Sequence, residues 1–186
     1  MKIVAISGSL RAASVNTALL RAAAGLAPEG VEVTLCEDVA TLPHFNPDIE
    51  IPPPPAVARW QQLLLSSDAV LIACPEYAHG VPGAFKNALD WAVGTAGLED
   101  MPVGLLNASP RAVHAQAALA EIITTMHWQI VPDASATIPL AGKGASLGAV
   151  GLEREHRVAL QRALAGLAQA AGARRDALTA RTAQST

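Results

Sequence analysis

The fold turns on one stretch, Ile3-Val4-Ala5-Ile6-Ser7-Gly8-Ser9-Leu10-Arg11-Ala12-Ala13-Ser14-Val15-Asn16. Four apolar residues in a row, stopped by Ser7-Gly8, read as a strand buried on both faces, as in the middle of a parallel sheet. After the loop, Leu19, Leu20, Ala23 and Leu26 fall at helical spacing, and Pro28-Glu29-Gly30 ends the pattern. Strand, hydroxyl-rich loop and helix together make the opening unit of an α/β domain.

The same alternation continues outward. Val31 to Leu35 reads as a second strand, Val57 to Leu65 as a helix, Ala69 to Cys74 as a third strand and Ala84 to Val93 as a helix. Pro102 to Asn107 is a fourth strand and Val113 to Met126 a long helix. Trp128 to Val131 with Ala136 to Ile138 forms the last strand region, and Leu152 to Ala171 the last helix. Pro52 to Pro55 is a rigid approach to the second helix, not a linker between domains. Gly142 to Gly151 reads as a flexible loop. This order predicts a doubly wound, five-stranded parallel sheet with helices on both faces, spanning residues 1–172. Its ligand belongs at the carboxyl ends of the strands, where the strand order reverses. Residues 173–186 are small, polar or charged, and are expected to be a disordered tail.

Composition narrows the functional classes. A chain of 186 residues suits one domain large enough to fold without disulfides or structural metal. A net charge of −3 argues against a nucleic-acid partner, which usually shows as a basic face. Cys36 and Cys74 are too few and too far apart for a metal motif and read as buried thiols. Met1 to Ile6 is too short an apolar run for a secretory signal, and no run reaches membrane-spanning length. The expectation is a soluble, cytoplasmic protein with no membrane partner.

Three loops carry the candidate chemistry. In the first, a helix start offers unpaired amides and a favourable dipole for an anion. Ser9, Ser14, Asn16 and Thr17 add short donors, Val15 opens the helix, and Arg11 adds a permanent charge with a planar fork. The loop lacks the Lys-Ser/Thr ending of a Walker loop and the three spaced glycines of a dinucleotide fingerprint. A terminal phosphomonoester suits it better, although Ser14 and Asn16 could simply cap the helix. The second loop, Pro75-Glu76-Tyr77-Ala78-His79-Gly80-Val81-Pro82-Gly83, can present backbone groups and an aromatic ring to a flat heterocycle. Within it, Glu76 reads first as a helix-capping or ion-paired residue, and His79 as structural or solvated. Lys86, Asn87 and Asp90 stand at pairing distance on one helix, and Trp91 reads as core or subunit contact. In the third loop, Ser109 is either a cap or a contact for a ring edge. Arg111 is either a solvated first-turn residue or a contact for an anionic nicotinamide substrate.

Together these residues resemble the NADPH-dependent FMN reductase family, which includes quinone, azo-dye and chromate reductases. Its first motif is matched by Gly8, Ser9, Arg11, Ser14 and Asn16. Its second is matched by Pro75, Glu76, Tyr77, Pro82, Gly83, Lys86, Asn87, Asp90 and Trp91. Two departures stand out: the asparagine that follows the tyrosine in the family is Ala78, and the usually glycine-rich third loop is Pro110-Arg111-Ala112. The resemblance implies a flavodoxin-like fold with FMN at the strand carboxyl ends. The phosphate would lie on Ser9, Arg11, Ser14, Val15, Asn16 and Thr17. The ring would lie against Pro75, Glu76, Tyr77, Ala78, His79, Gly80 and Ser109. It further implies hydride transfer from NADPH or NADH to FMN, a small-molecule acceptor (quinone, flavin, azo dye or metal oxyanion), and a homodimer or homotetramer. No residue reads as a catalytic acid or base or as a metal ligand. Two alternatives are a flavodoxin-type electron carrier and a non-catalytic FMN-binding protein.

Overall fold

The runs that read as doubly buried strands are buried on both sides. In a computed structural model, which describes residues 1–140 and 151–184, every residue of β3 (Ala69–Ala73) and β4 (Pro102–Asn107) is buried. With β1 (Lys2–Ser7), β2 (Glu32–Leu35) and β5 (Gln129–Ile130) they form a parallel sheet in the order β2-β1-β3-β4-β5. The order reverses between β1 and β3, and this switch point is where the first and second loops leave the sheet.

Alternate strand residues supply two separate cores. Val4, Ile6, Val70, Ile72, Val103 and Leu105 face α2 (Pro55–Leu65), α3 (Gly83–Val93) and α4 (Val113–Thr125), with Trp60, Phe85 and Trp91 filling that layer. Ile3, Ala5, Ala69, Leu71 and Leu106 face α1 (Val15–Ala24) and α5 (Arg154–Gln184) across leucine and alanine. Each layer removes apolar surface from water at roughly 25 cal/mol per Å². A one-residue slip of β1 would exchange the two sets.

The proline-rich stretch before α2 is anchored on α3. Trp91 is core and donates its Nε1–H to the Pro43 carbonyl at 2.8 Å. Asn87 donates to the same carbonyl at 2.9 Å and accepts the Phe45 amide at 2.7 Å. Lys86 and Asp90 pair along the helix, as their spacing predicts. Pro55 opens α2 at a position where a missing N–H costs nothing.

The structure departs from the sequence expectations in three places. The last strand region is two pieces: β5 pairs with the start of β4, and β6 (Ala136–Thr137) pairs with its end. Between them Pro132 cannot donate to the ladder, and a tight turn intervenes. The Leu105 amide, left without a strand partner there, donates to Ser135 Oγ at 3.1 Å. Gly104 allows this close approach, since a Cβ at that position would stand 2.7 Å from the Ala134 carbonyl oxygen.

The second correction concerns the chain's last described segment. The helix expected to stop at residue 171 runs to Gln184, so residues 173–184 are helical. Ala173, Arg174, Arg175, Ala177, Leu178, Ala180 and Arg181 are good helix formers. Arg174 also donates to the Gly97 and Glu99 carbonyls at 2.8 and 3.1 Å, and Arg181 pairs with Asp100 at 3.6 Å.

The third concerns the thiols. Cys74 is buried, which pushes its thiol up to about 12, but Cys36 is only half-buried. The loop expected over 142–151 falls outside the described residues except for Gly151. Among the described residues, no helix is long and apolar enough to cross a membrane.

Candidate functional site

Ser14 starts α1: its hydroxyl accepts the Thr17 amide at 3.3 Å. Thr17 in turn donates its hydroxyl to Ser7 Oγ at 2.8 Å, and Ser7 Oγ also accepts the Ser9 amide at 3.2 Å. Ser9 Oγ accepts the Arg11 amide at 3.3 Å. The first loop is therefore tied by its own hydroxyls. Gly8 fixes where it starts, because a Cβ there would lie 2.8 Å from Cys74 Sγ and 3.2 Å from the Cys74 backbone. The close approach that demands glycine is thus to Cys74, just past the end of β3.

Two polar groups of this loop remain without partners among the described residues. Arg11 bonds only through its backbone amide. Asn16 is 9% exposed, and its side-chain amide makes no hydrogen bond.

The second loop is held differently. The Tyr77 and Gly80 backbones exchange hydrogen bonds of 3.1 and 3.0 Å, closing a hairpin over Ala78 and His79. Both turn residues are left-handed, with φ of 49° and 59°. That conformation costs a residue with a Cβ about 1–2 kcal/mol, and asparagine or glycine relieves the cost. The departure at Ala78 therefore places a poor residue at a strained position. Tyr77, half exposed, reaches back so that its Oη lies 3.3 Å from Ser9 Oγ.

The rest of the second loop leans on α4. The His79 ring stacks on His114, with centroids 4.4 Å apart and planes 11° from parallel. Glu76 Oε2 accepts the Ala115 amide at 2.9 Å, capping α4 as the sequence reading favoured. That bond, with further help from the His114 amide and the two nearby imidazoles, holds the Glu76 carboxyl below its ordinary range.

The third loop is a tight turn. Asn107 Oδ1 accepts the Ser109 amide at 3.0 Å, and Ser109 Oγ accepts the Arg111 amide at 3.4 Å. Ser109 thus braces the turn, while the cap on α4 comes from Glu76.

These three loops enclose a cleft of about 380 Å³, lined by Val15, Asn16, Cys74, Pro75, Glu76, Asn107, Ala108, Ser109, Arg111 and Ala112. Its size lies at the small end of ligand sites. Ser9, Arg11 and Thr17 instead line a pocket of about 190 Å³ on the β2 side of the same loop. The predicted residues thus divide around the start of α1, and Ser14, Tyr77, Ala78, His79 and Gly80 line neither pocket. Asn107, for which the sequence suggested no role, and Arg111, read there as either solvated or a substrate contact, also line the cleft. A larger cavity of about 980 Å³ between β6 and α5 contains none of the predicted residues and lies away from the switch point.

Residues 1–143 match the family described as NADPH-dependent FMN reductase. The chain belongs to this family. An NAD(P)H-dependent FMN reductase of Pseudomonas aeruginosa is 43% identical over 93 residues, which is 50% of each chain. An NADPH:quinone oxidoreductase of Arabidopsis thaliana is 44% identical over 96 residues, covering 50% of this chain and 49% of its own. This chain spans about half the length of the curated relatives it matches. The flavoenzyme NAD(P)H:(acceptor) oxidoreductase of Paracoccus denitrificans superposes with a TM-score of 0.67 at 24% identity, covering 90% of this chain and 97% of that one. This structural likeness establishes the fold.

Proposed function

We propose that the chain is an FMN-dependent NAD(P)H oxidoreductase that passes electrons to a small acceptor, a quinone first among the candidates. The observation that carries this reading is the switch-point cleft, where the Asn16 amide, without a protein partner, lines the space between three strand-end loops. Family membership supports it, as do the names of the relatives.

The residues present fit FMN. The Arg11 guanidinium is free to meet a phosphate on the side of the loop it shares with Ser9 and Thr17, and the Val15 and Asn16 amides at the α1 start offer donors from the cleft side. The Ser9 and Ser14 hydroxyls accept amides within the loop and keep a proton to donate, whereas Thr17 gives its proton to Ser7 Oγ. The apolar wall of Ala108 and Ala112 suits a flat ring. Asn16, Asn107, Ser109 and the 75–80 backbone offer donors and acceptors at its edge. When bound, FMN would supply the two-electron chemistry, accepting hydride from the nicotinamide and releasing electrons to the acceptor. The protein's part is to hold the phosphate, orient the ring edge with the Pro75 to Gly80 loop, and keep water from the buried side. No side chain is needed as an acid or base.

Apolar exposure near α3 supports a homodimer or homotetramer: Ile51 is 89% exposed and Val93 59%. Dependence on NAD(P)H favours a cytoplasmic setting. The decisive experiment is FMN uptake. Purified chain mixed with FMN should retain it through gel filtration and show flavin absorption, bleached on mixing with NADPH or NADH. A chain that elutes colourless is not a flavoprotein, and one that binds FMN without bleaching is a carrier or a non-catalytic binder.

A further inference from the structure

Glu76 and Arg111 are the two ionised side chains that line the cleft. Glu76 is engaged, because its carboxylate caps α4 through the Ala115 amide and lies beside His79 and His114. Arg111 is not. Its backbone amide is fixed on Ser109 Oγ, but its guanidinium has no hydrogen bond or ion pair among the described residues. Pro110 locks the preceding backbone, so the side chain leaves the turn from a set position at the cleft lip.

A count of anions then matters. FMN carries a single phosphate, and Arg11 serves it from the far side of the α1 start. Arg111 lines the cleft itself, where Arg11 does not, so its guanidinium stands where a second anion would arrive. The other molecule that must reach the ring is a nicotinamide dinucleotide, which carries two or three phosphates. Arginine's planar fork matches phosphate geometry. The capped Glu76 repels an incoming phosphate less than a free carboxylate would.

We propose that Arg111 binds a phosphate of the dinucleotide hydride donor and sets the affinity of the cleft for it. The proposal rests on the FMN reading above. It also gives a role to the third loop, where this chain carries Pro110-Arg111 in place of glycine.

The test uses full-length, FMN-loaded protein with Arg111→Ala and Arg111→Lys. KM is measured for NADPH and NADH with benzoquinone as acceptor, and Kd for NADP⁺ by calorimetry. In Arg111→Ala, dinucleotide KM and the NADP⁺ Kd should rise about 10- to 100-fold, the worth of a charge-assisted contact. FMN affinity and kcat should stay within about twofold, and Arg111→Lys should recover part of the loss. A loss confined to NADPH assigns the 2′-phosphate, and an equal loss for NADH assigns the pyrophosphate. Unchanged dinucleotide binding overturns the proposal. So does a loss confined to benzoquinone KM, or weakened FMN binding. Wild-type chain that takes up no FMN overturns the flavin reading and this proposal together, whereas FMN uptake with unaltered dinucleotide binding overturns this one alone.

Discussion

The first and second loops meet at one cleft but are held by opposite means. The first is closed on itself by Ser7, Ser9, Ser14 and Thr17, and it starts from a glycine pressed against Cys74. The second is held from outside: Glu76 on α4, His79 on His114 and Tyr77 near Ser9, around a hairpin of two left-handed residues. A self-closed loop is organised before its ligand arrives. A loop held from outside is only as well placed as the helix it leans on. An anchor for a cofactor suits the first arrangement, and a surface that must admit a second substrate suits the other.

The strongest challenge to this contrast is at Gly8. Gly8→Val should destabilise the fold by about 3 kcal/mol, since the new methyls would meet Cys74 at sub-contact distance. Thermal unfolding should drop by roughly 6–12 °C for a chain of this size. An unaltered midpoint would mean the first loop is not pinned at Cys74. Next is Arg11→Ala, which should weaken FMN binding by about 1.5–3 kcal/mol with little change in melting temperature. Fluorescence titration of FMN measures it, and equal affinity would remove Arg11 from the phosphate site.

Smaller effects sharpen the description of the second loop. Ala78→Asn should raise stability by about 0.5–1 kcal/mol, by placing a residue that tolerates positive φ at the turn. Urea denaturation with an unchanged midpoint would show that the turn carries no strain. Glu76→Gln should change the pH profile more than the stability at neutral pH. The Glu76 carboxyl is held below its ordinary value of 4.5, so the stability it adds is fully present above that pH. That stability is lost as acid carries the group through its lower, folded-state value. The variant should therefore show a flatter decline of melting temperature between about pH 4.5 and the acid limit. Parallel profiles for the two proteins would deny the carboxylate any charged role at α4.

The sheet and the first loop were legible because their signals are local. Apolar runs of four to six residues mark β1, β3 and β4, and hydroxyls within ten residues of one another close the loop they build. The capping role of Glu76 was also legible as a type of contact, though not its partner. What escaped depends on distant pairs. Nothing near His79 announces His114, and Gly104 signals its need for Ala134 only once β5 has broken at Pro132. Residues 173–184 looked like a tail because their polar pattern lacks a core-facing stripe, yet their helix propensity is high. The strain at Ala78 needs a backbone angle, which composition does not provide.

The reach of α5 has a consequence for how the molecule comes apart. Arg174 grips the Gly97 and Glu99 carbonyls, at the turn that leads into β4. Cutting the chain after Ala173 would leave every cleft-lining residue in place and remove a suture on the opposite end of β4. Amide exchange with deuterated solvent should then quicken first around Asp100 and Met101, while the amides of β1 and α1 hold their protons as before. Durability and ligand recognition would thus be written in different stretches of the chain, open to change one without the other.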